Sequence, residues 1–273
     1  MPNLGKQYMP FFSTNVISII FGAQLAVASL AAPAMEMNIQ LIDFGLDRPL
    51  SGLLLKGPIR KGDAQRLRQL LGTNIVEFAS QPFVMLDSPG GDVDEALQLA
   101  QILREAMANT ILVPPSRCAS ACFFLYVASP SRMSLPNVIA IHRPFFAAET
   151  TRKLSAPDAD AAQNAAYARV RRWLQDQLVP QELIDKMFSL PSTQAYFLTK
   201  KDIDALGQRS AWYEEWLLAR CPKYLDVERR VQGGDVGARA EYLVEAKCEA
   251  DSTGGERVNA LVKYRIPKKR SGQ

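Results

Sequence analysis

Two side chains in this sequence have the means for nucleophilic chemistry: a serine flanked by small residues and a lone histidine. Ser120 sits in Cys118-Ala119-Ser120-Ala121-Cys122, and His142, the single histidine of the chain, ends the apolar run Val138-Ile139-Ala140-Ile141. A serine hydroxyl becomes a useful nucleophile at neutral pH only when a base takes its proton, and imidazole is the usual base. A third motif, Asp87-Ser88-Pro89-Gly90-Gly91, follows an apolar strand and precedes a helix. Its unencumbered N–H groups at a helix N-terminus could hold an oxyanion, because glycine lets a substrate approach the backbone. Each motif also has a bland use. The diglycine could be a plain βα turn, Ser120 could cap the helix that starts beside it, and a lone histidine is commonly structural. As a nucleophile, Ser120 would use the same position so that the Ala121 N–H points at the developing oxyanion.

These residues need a scaffold that brings them together. Gly52 to Leu55, Phe83 to Leu86, Thr110 to Val113 and Val138 to Ile141 read as short buried strands. Amphipathic helices are expected over Asp63 to Leu71 and over the stretch containing Val93, Ala96, Leu97, Ala100 and Leu103. Ala119 to Ala128 is long and apolar enough for a buried helix. The alternation argues for an α/β core of repeated βαβ units with a parallel sheet. In such folds ligands sit beyond the carboxyl ends of the strands, where Gly90, Gly91 and His142 fall and which Ser120 follows by a short connection. A polar loop from Ala147 to Asp160 is expected beside the site. A helix from about Asp160 to Gln177, with Ala166, Val170, Trp173 and Leu174 as its apolar stripe, comes next, then helical segments around Glu182 to Phe188 and Lys201 to Leu206.

The chain has 273 residues, 48% hydrophobic and 22% charged, with a formal net charge of +4. That is ordinary globular composition, and no basic stripe interleaved with aromatics supports nucleic-acid binding. The basic cluster Arg265, Lys268, Lys269 and Arg270 reads as a solvated tail or a contact for an anionic surface. Residues 1–34 read as a signal peptide or N-terminal anchor: Lys6 is their one charge, Val16 to Leu30 is apolar but shorter than the roughly 20 residues a spanning helix needs, and Ala31-Ala32-Pro33-Ala34 offers cleavage after Ala31 or Ala34. The bulk of the chain is then periplasmic or secreted, with membrane attachment, if any, through that segment alone. Residues 35–219 read as the α/β domain and 220–273 as a small charged C-terminal module carrying Gly233-Gly234 and Gly254-Gly255. Cys221 and Cys248 are disulfide candidates, closing a polar loop in an oxidising compartment. Cys118 and Cys122 could be buried thiols or a bridge. One histidine and no CxxC give no zinc ligand set, so no metal and no cofactor is expected.

In order and spacing the motifs resemble the Clp-protease family, the serine-peptidase branch of the Clp/crotonase superfamily, over roughly Leu53 to Gly207. Leu55-Lys56-Gly57-Pro58-Ile59 resembles that family's first strand and turn, Ser88-Pro89-Gly90-Gly91 its oxyanion turn and Ala119-Ser120-Ala121 its nucleophile site. Leu135-Pro136-Asn137 with Ile141-His142-Arg143-Pro144 is similar to the stretch presenting its histidine, and Phe197-Leu198-Thr199 before Ala205-Leu206-Gly207 to its closing segment. The resemblance implies a Clp/crotonase-like core with a protruding helix, here Asp160 to Gln177, that joins subunits of a homo-oligomer. It also implies a peptide or protein substrate, with Ser120 as nucleophile, His142 as base and Gly90, Gly91 and Ala121 as the oxyanion hole. Thr193 falls where the family places its acid; Asp202, Asp185 or Glu149 could substitute from another direction. An exported chain also lacks the family's usual cytosolic unfoldase partner.

Two other functions compete with the exported serine peptidase. One is a catalytically inactive protein of the same fold serving binding or assembly. The other is crotonase-like acyl-thioester chemistry on the same turn, which requires a chain that is not exported. A Ser–Lys dyad using Lys200 or Lys201 is a variant of the peptidase reading.

Overall fold

The computed structural model describes residues 36–43, 51–80, 82–145, 154–191 and 193–265. The leader, Glu149 and the basic residues Lys268, Lys269 and Arg270 lie outside them. From Met35 onward the chain is one compact unit.

Its centre is a five-stranded sheet in the order β1-β2-β3-β4-β6, built from β1 (Asn38–Asp43), β2 (Ser51–Lys56), β3 (Phe83–Asp87), β4 (Asn109–Leu112) and β6 (Arg132–Ser134). β1 pairs antiparallel with β2 and the remaining pairs are parallel. Leu53, Leu55, Val84, Leu86 and Leu112 are fully buried, as expected for a parallel sheet covered by helices. A second sheet, β5-β7-β8, is small: β5 (Cys118–Ala119) runs parallel to β7 (Ile139–Ile141), and β8 (Tyr196–Phe197) runs antiparallel to β7. The fold is the expected α/β arrangement.

Helices α1 (Asp63–Thr73), α3 (Val93–Glu105) and α4 (Cys122–Ala128) pack on one another, and α2 (Ile75–Ser80) precedes β3. Helix α3 starts on Asp92, whose side chain accepts the Glu95 N–H at 2.8 Å. Glu95 is 5% exposed and accepts the Ala64 N–H at 2.7 Å. One buried carboxylate on α3 therefore satisfies an orphan donor in the first turn of α1, whose own cap position is Gly62 and carries no side chain.

Helix α5 spans Ala156–Asp176 and starts on the Ser155 cap, four residues earlier than expected, because Ser155 and Pro157 supply a helix start that the polar composition around them obscures; the rest of the expected loop, residues 147–153, lies outside the described residues. Of its 21 residues only Val170 and Leu174 are buried, so it stands out from the body. Then follow α6 (Gln181–Ser189), α7 (Lys200–Leu206) and α8 (Ala211–Leu218).

The stretch from Arg220 forms α9 (Tyr224–Gln232), a 3₁₀ turn and α10 (Arg239–Lys263), a 25-residue helix that contacts α1, α2 and α3. The expected small module is therefore packed onto the α/β core within the same compact unit. Gly254 and Gly255, which marked the small charged module, lie inside α10 with open space where a Cβ would go. Arg257, 7% exposed, donates to the carbonyls of Ala79, Ala106 and Met107 at 3.0, 3.1 and 3.3 Å, covering the C-terminal ends of α2 and α3. Cys221 and Cys248 are bonded, tying the end of α8 to α10.

Candidate active site

The site is assembled where β5 meets the diglycine turn. The Ser88 N–H donates to the Arg117 carbonyl at 2.8 Å and the Ala119 N–H to the Ser88 carbonyl at 2.9 Å. On its other side β5 pairs with β7: the Cys118 N–H donates to Val138 and the Ser120 N–H to Ala140, at 3.0 and 2.9 Å. Ser120 thus ends a strand held from both sides. It then turns the chain into α4 with φ at 56°, in the left-handed region that a residue with a Cβ seldom enters. The expected buried helix from Ala119 is in fact a two-residue strand, this turn and a helix that begins at Cys122.

The Ser120 side chain does not cap α4: no backbone N–H donates to it, and its hydroxyl makes no hydrogen bond among the described residues. It faces the diglycine. A Cβ on Gly90 would lie 2.6 Å from the Ala119 oxygen, 2.7 Å from the Ser120 Cβ and 2.8 Å from the Ala121 nitrogen. A Cβ on Gly91 would lie 2.1 Å from the Ile59 oxygen. The turn is stitched to that segment as well, the Ile59 N–H donating to Gly90 and the Asp92 N–H to Ile59 at 2.9 and 3.0 Å. The Gly90 N–H is engaged by the Ser88 hydroxyl at 3.1 Å. The N–H groups of Gly91 and Ala121 have no partner among the described residues, so two of the three expected oxyanion donors are open and Gly90 serves as the spacer.

His142 follows β7, the strand beside β5, with Ala119 in register with Ala140. Its Nδ1 lies 2.8 Å from the Arg143 carbonyl oxygen. A carbonyl can only accept, so Nδ1 carries the proton and Nε2 of the neutral ring is the basic nitrogen. The imidazole stacks on Phe145 with ring centres 6.0 Å apart. No hydrogen bond joins His142 to Ser120.

Thr193 is exposed, in the turn between α6 and β8, and the hydrogen-bond partner of the His142 ring is the Arg143 carbonyl instead. The carboxylates considered as replacements are engaged elsewhere. Asp202 accepts from the Thr199 hydroxyl and N–H and from the Tyr196 hydroxyl at 2.7, 2.8 and 2.9 Å, closing the capping box of α7. Burial pushes its pKa up, but those donors outweigh it and hold the carboxyl below its usual range. Asp185 is paired with Arg171 and Gln181, each at 3.0 Å. Lys200, one of the two lysines considered for a dyad, pairs with Asp204 at 2.7 Å, and Lys201 is exposed. No cluster of side chains among the described residues could hold a metal ion.

The structure adds two features that sequence spacing left open. Cys118 and Cys122 form a disulfide around Ser120, and a main-chain carbonyl stands where a carboxylate was sought.

Residues 50–173 match the family model for Clp protease, a segment that contains Gly90, Gly91, Ser120, Ala121 and His142 but ends before Thr193. No curated protein sequence matches the chain. Among solved structures, a variant of the membrane-bound stomatin-specific protease 1510-N is 18% identical, with 57% of this chain and 75% of that one covered and a TM-score of 0.41. For ClpP1 from Listeria monocytogenes the identity is 14%, the coverage 58% and 88%, and the TM-score 0.40. At these values the structural likenesses carry no argument of their own.

Proposed function

We propose that this chain, Clp-protease-like across residues 50–173, is an exported serine peptidase in which Ser120 attacks, His142 shuttles the proton and the Gly91 and Ala121 N–H groups hold the oxyanion. The observation that carries the reading is the backbone of Ser120: a left-handed serine whose Cβ fills the space that Gly90 leaves empty, beside two unpartnered N–H groups.

The Ser120 Oγ adds to the scissile carbonyl while its proton passes to the His142 Nε2. Two N–H donors receive the negative oxygen, a contribution of about 3 kcal/mol per donor in comparable sites. Collapse returns the proton to the leaving amine, and water repeats the cycle on the acyl-enzyme. The Arg143 carbonyl performs the orienting half of an acid's task, fixing the tautomer that leaves Nε2 basic. It supplies no negative charge for the imidazolium. The enzyme is therefore slower than one with a carboxylate, but escapes the about 10⁴-fold loss that follows from a wrong tautomer. Substrate binding brings Oγ and Nε2 into the hydrogen bond that the free protein lacks.

Export is supported by two disulfides in one chain, and by the leader-like composition of residues 1–34. No helix among the described residues is long and apolar enough to cross a membrane. Assembly into a homo-oligomer is supported by the protruding, largely exposed α5. The substrate class that goes with this reading is an unfolded protein or peptide.

A binding protein that keeps the fold without catalysis draws on Thr193 and on the absent Ser120–His142 bond. It assigned Ser120 to capping, and that cap is not made. The test is hydrolysis of a fluorescently quenched unfolded protein. Hydrolysis by the wild type and a fall of about 10³-fold or more in Ser120→Ala is expected. Equal rates in the two proteins would overturn the assignment, and a folded, inert wild type would favour the binding role.

A further inference from the structure

We propose that the Cys118–Cys122 disulfide is the positioning device that holds Ser120 in its reactive backbone conformation, so that the site reaches its full reactivity only in a compartment that oxidises thiols. The inference rests on Ser120 being the nucleophile.

Ser120 is the middle residue of the five-residue ring that the disulfide closes, with a Cα–Cα distance of 5.3 Å across it. Cys118 opens β5 and Cys122 opens α4, so the bond links the strand that enters the turn to the helix that leaves it. Between them Ser120 has φ at 56°, a conformation unfavourable for a residue with a Cβ unless its surroundings impose it. Hydrogen bonds from Ala119 and Ser120 to Ser88 and Ala140 fix the strand side. On the helix side the Phe123 N–H donates to the Ser120 carbonyl at 3.0 Å but no side chain caps α4, and the cross-link adds the covalent restraint.

A ring this short removes little freedom from the unfolded chain compared with the 27-residue separation of Cys221 and Cys248, so the benefit is local. Cys118 and Cys122 are both 0% exposed. Reductants cannot reach the first pair without opening the fold, which makes it a permanent clamp set during folding and not a reversible switch. Closing it converts two thiols to one disulfide. Two successive exchanges pass the two electrons and two protons to a protein disulfide of the oxidising compartment, which is released as a dithiol. A chain retained among reduced thiols would keep Ser120 unclamped, which protects the producing compartment from its activity.

The experiment uses the full chain purified from an oxidising compartment and separates the maximal rate of fluorophosphonate labelling from the reagent's apparent affinity. Replacing both Cys118 and Cys122 by Ala should lower the maximal rate by about 10- to 100-fold, with the affinity and the pH dependence of labelling unchanged. Replacing both Cys221 and Cys248 by Ala should leave the rate within about twofold, although it removes the longer loop closure and lowers the melting temperature more. Wild-type labelling in the folded Cys118→Ala/Cys122→Ala protein would overturn the proposal. Should that variant not fold, the near-isosteric Cys118→Ser/Cys122→Ser protein, with Cys221–Cys248 intact, is labelled instead, and an undiminished rate there overturns it equally. A folded wild type that takes no label at all points instead to failure of the nucleophile reading beneath it.

Discussion

At the scale of single residues the site turns on what is missing from two glycines. Gly90 and Gly91 are required by contact as well as by φ, since a methyl group at either position meets backbone or Ser120 itself. Gly91→Ala should cost about 3 kcal/mol and abolish reaction at Ser120, because the Ile59 segment and the turn must separate to admit the Cβ. A thermal melt of that variant matching the wild type would contradict this account of the turn. The diglycine, Ser120 and His142 were legible in the sequence because their chemistry constrains residue type. Which glycine N–H is open was not legible, because it depends on the Ser88 hydroxyl reaching Gly90. The partner of His142 was not legible either: every residue has a carbonyl, so one that holds an imidazole leaves no signature in side-chain identity. Asp202 and Asp185, the carboxylates that side-chain identity offers, are committed to a helix cap and a surface ion pair.

At the scale of elements, the diglycine turn is held by the start of α3, and α3 is coupled to α1 through Glu95. Glu95→Ala leaves the Ala64 N–H without its partner and removes negative charge from the N-terminus of α1, which should cost about 2 kcal/mol. Urea unfolding would read it as a lower midpoint with an unchanged slope, and an unchanged midpoint would show that water replaces the carboxylate without loss. The central strands and helices were readable because apolar runs bounded by Gly and Pro have a clear length and period. β5 was absorbed into the following helix because two residues have no period, and its strand character comes from hydrogen bonds to both neighbours. The glycines at 254 and 255 marked a small separate module, yet α10 runs through them and is held to the core by the packing of its neighbours and by Arg257.

At the scale of the whole molecule, the C-terminal helices are fastened to the core by buried polar groups that respond to alkali. Burial raises the pKa of Tyr126, Tyr213, Tyr224 and Tyr264, with Glu249 adding to Tyr213 and Tyr224 and Glu105 to Tyr264. Above about pH 10 the unfolded tyrosines lose protons that the folded ones keep, so stability falls as pH rises. Arg257 works the other way: burial lowers its pKa to about 10, so above that value the unfolded chain binds the extra proton. Burial lowers Arg104 and Arg132 as well, whereas hydrogen bonds raise Tyr196 and Arg209; around pH 10 the tyrosines, whose unfolded forms titrate there, outweigh the arginines. The urea midpoint should be flat from about pH 7 to 9 and fall above about pH 10, and Tyr213→Phe should make the fall shallower; a midpoint that rises in that range would contradict the burial of these hydroxyls. The account's central claim, a serine activated by histidine in this fold, is tested most directly by the intact mass of the whole protein after fluorophosphonate treatment. It predicts one adduct, located on Ser120 by peptide mapping and lost in both Ser120→Ala and His142→Ala, whereas an adduct that persists in folded Ser120→Ala would contradict it.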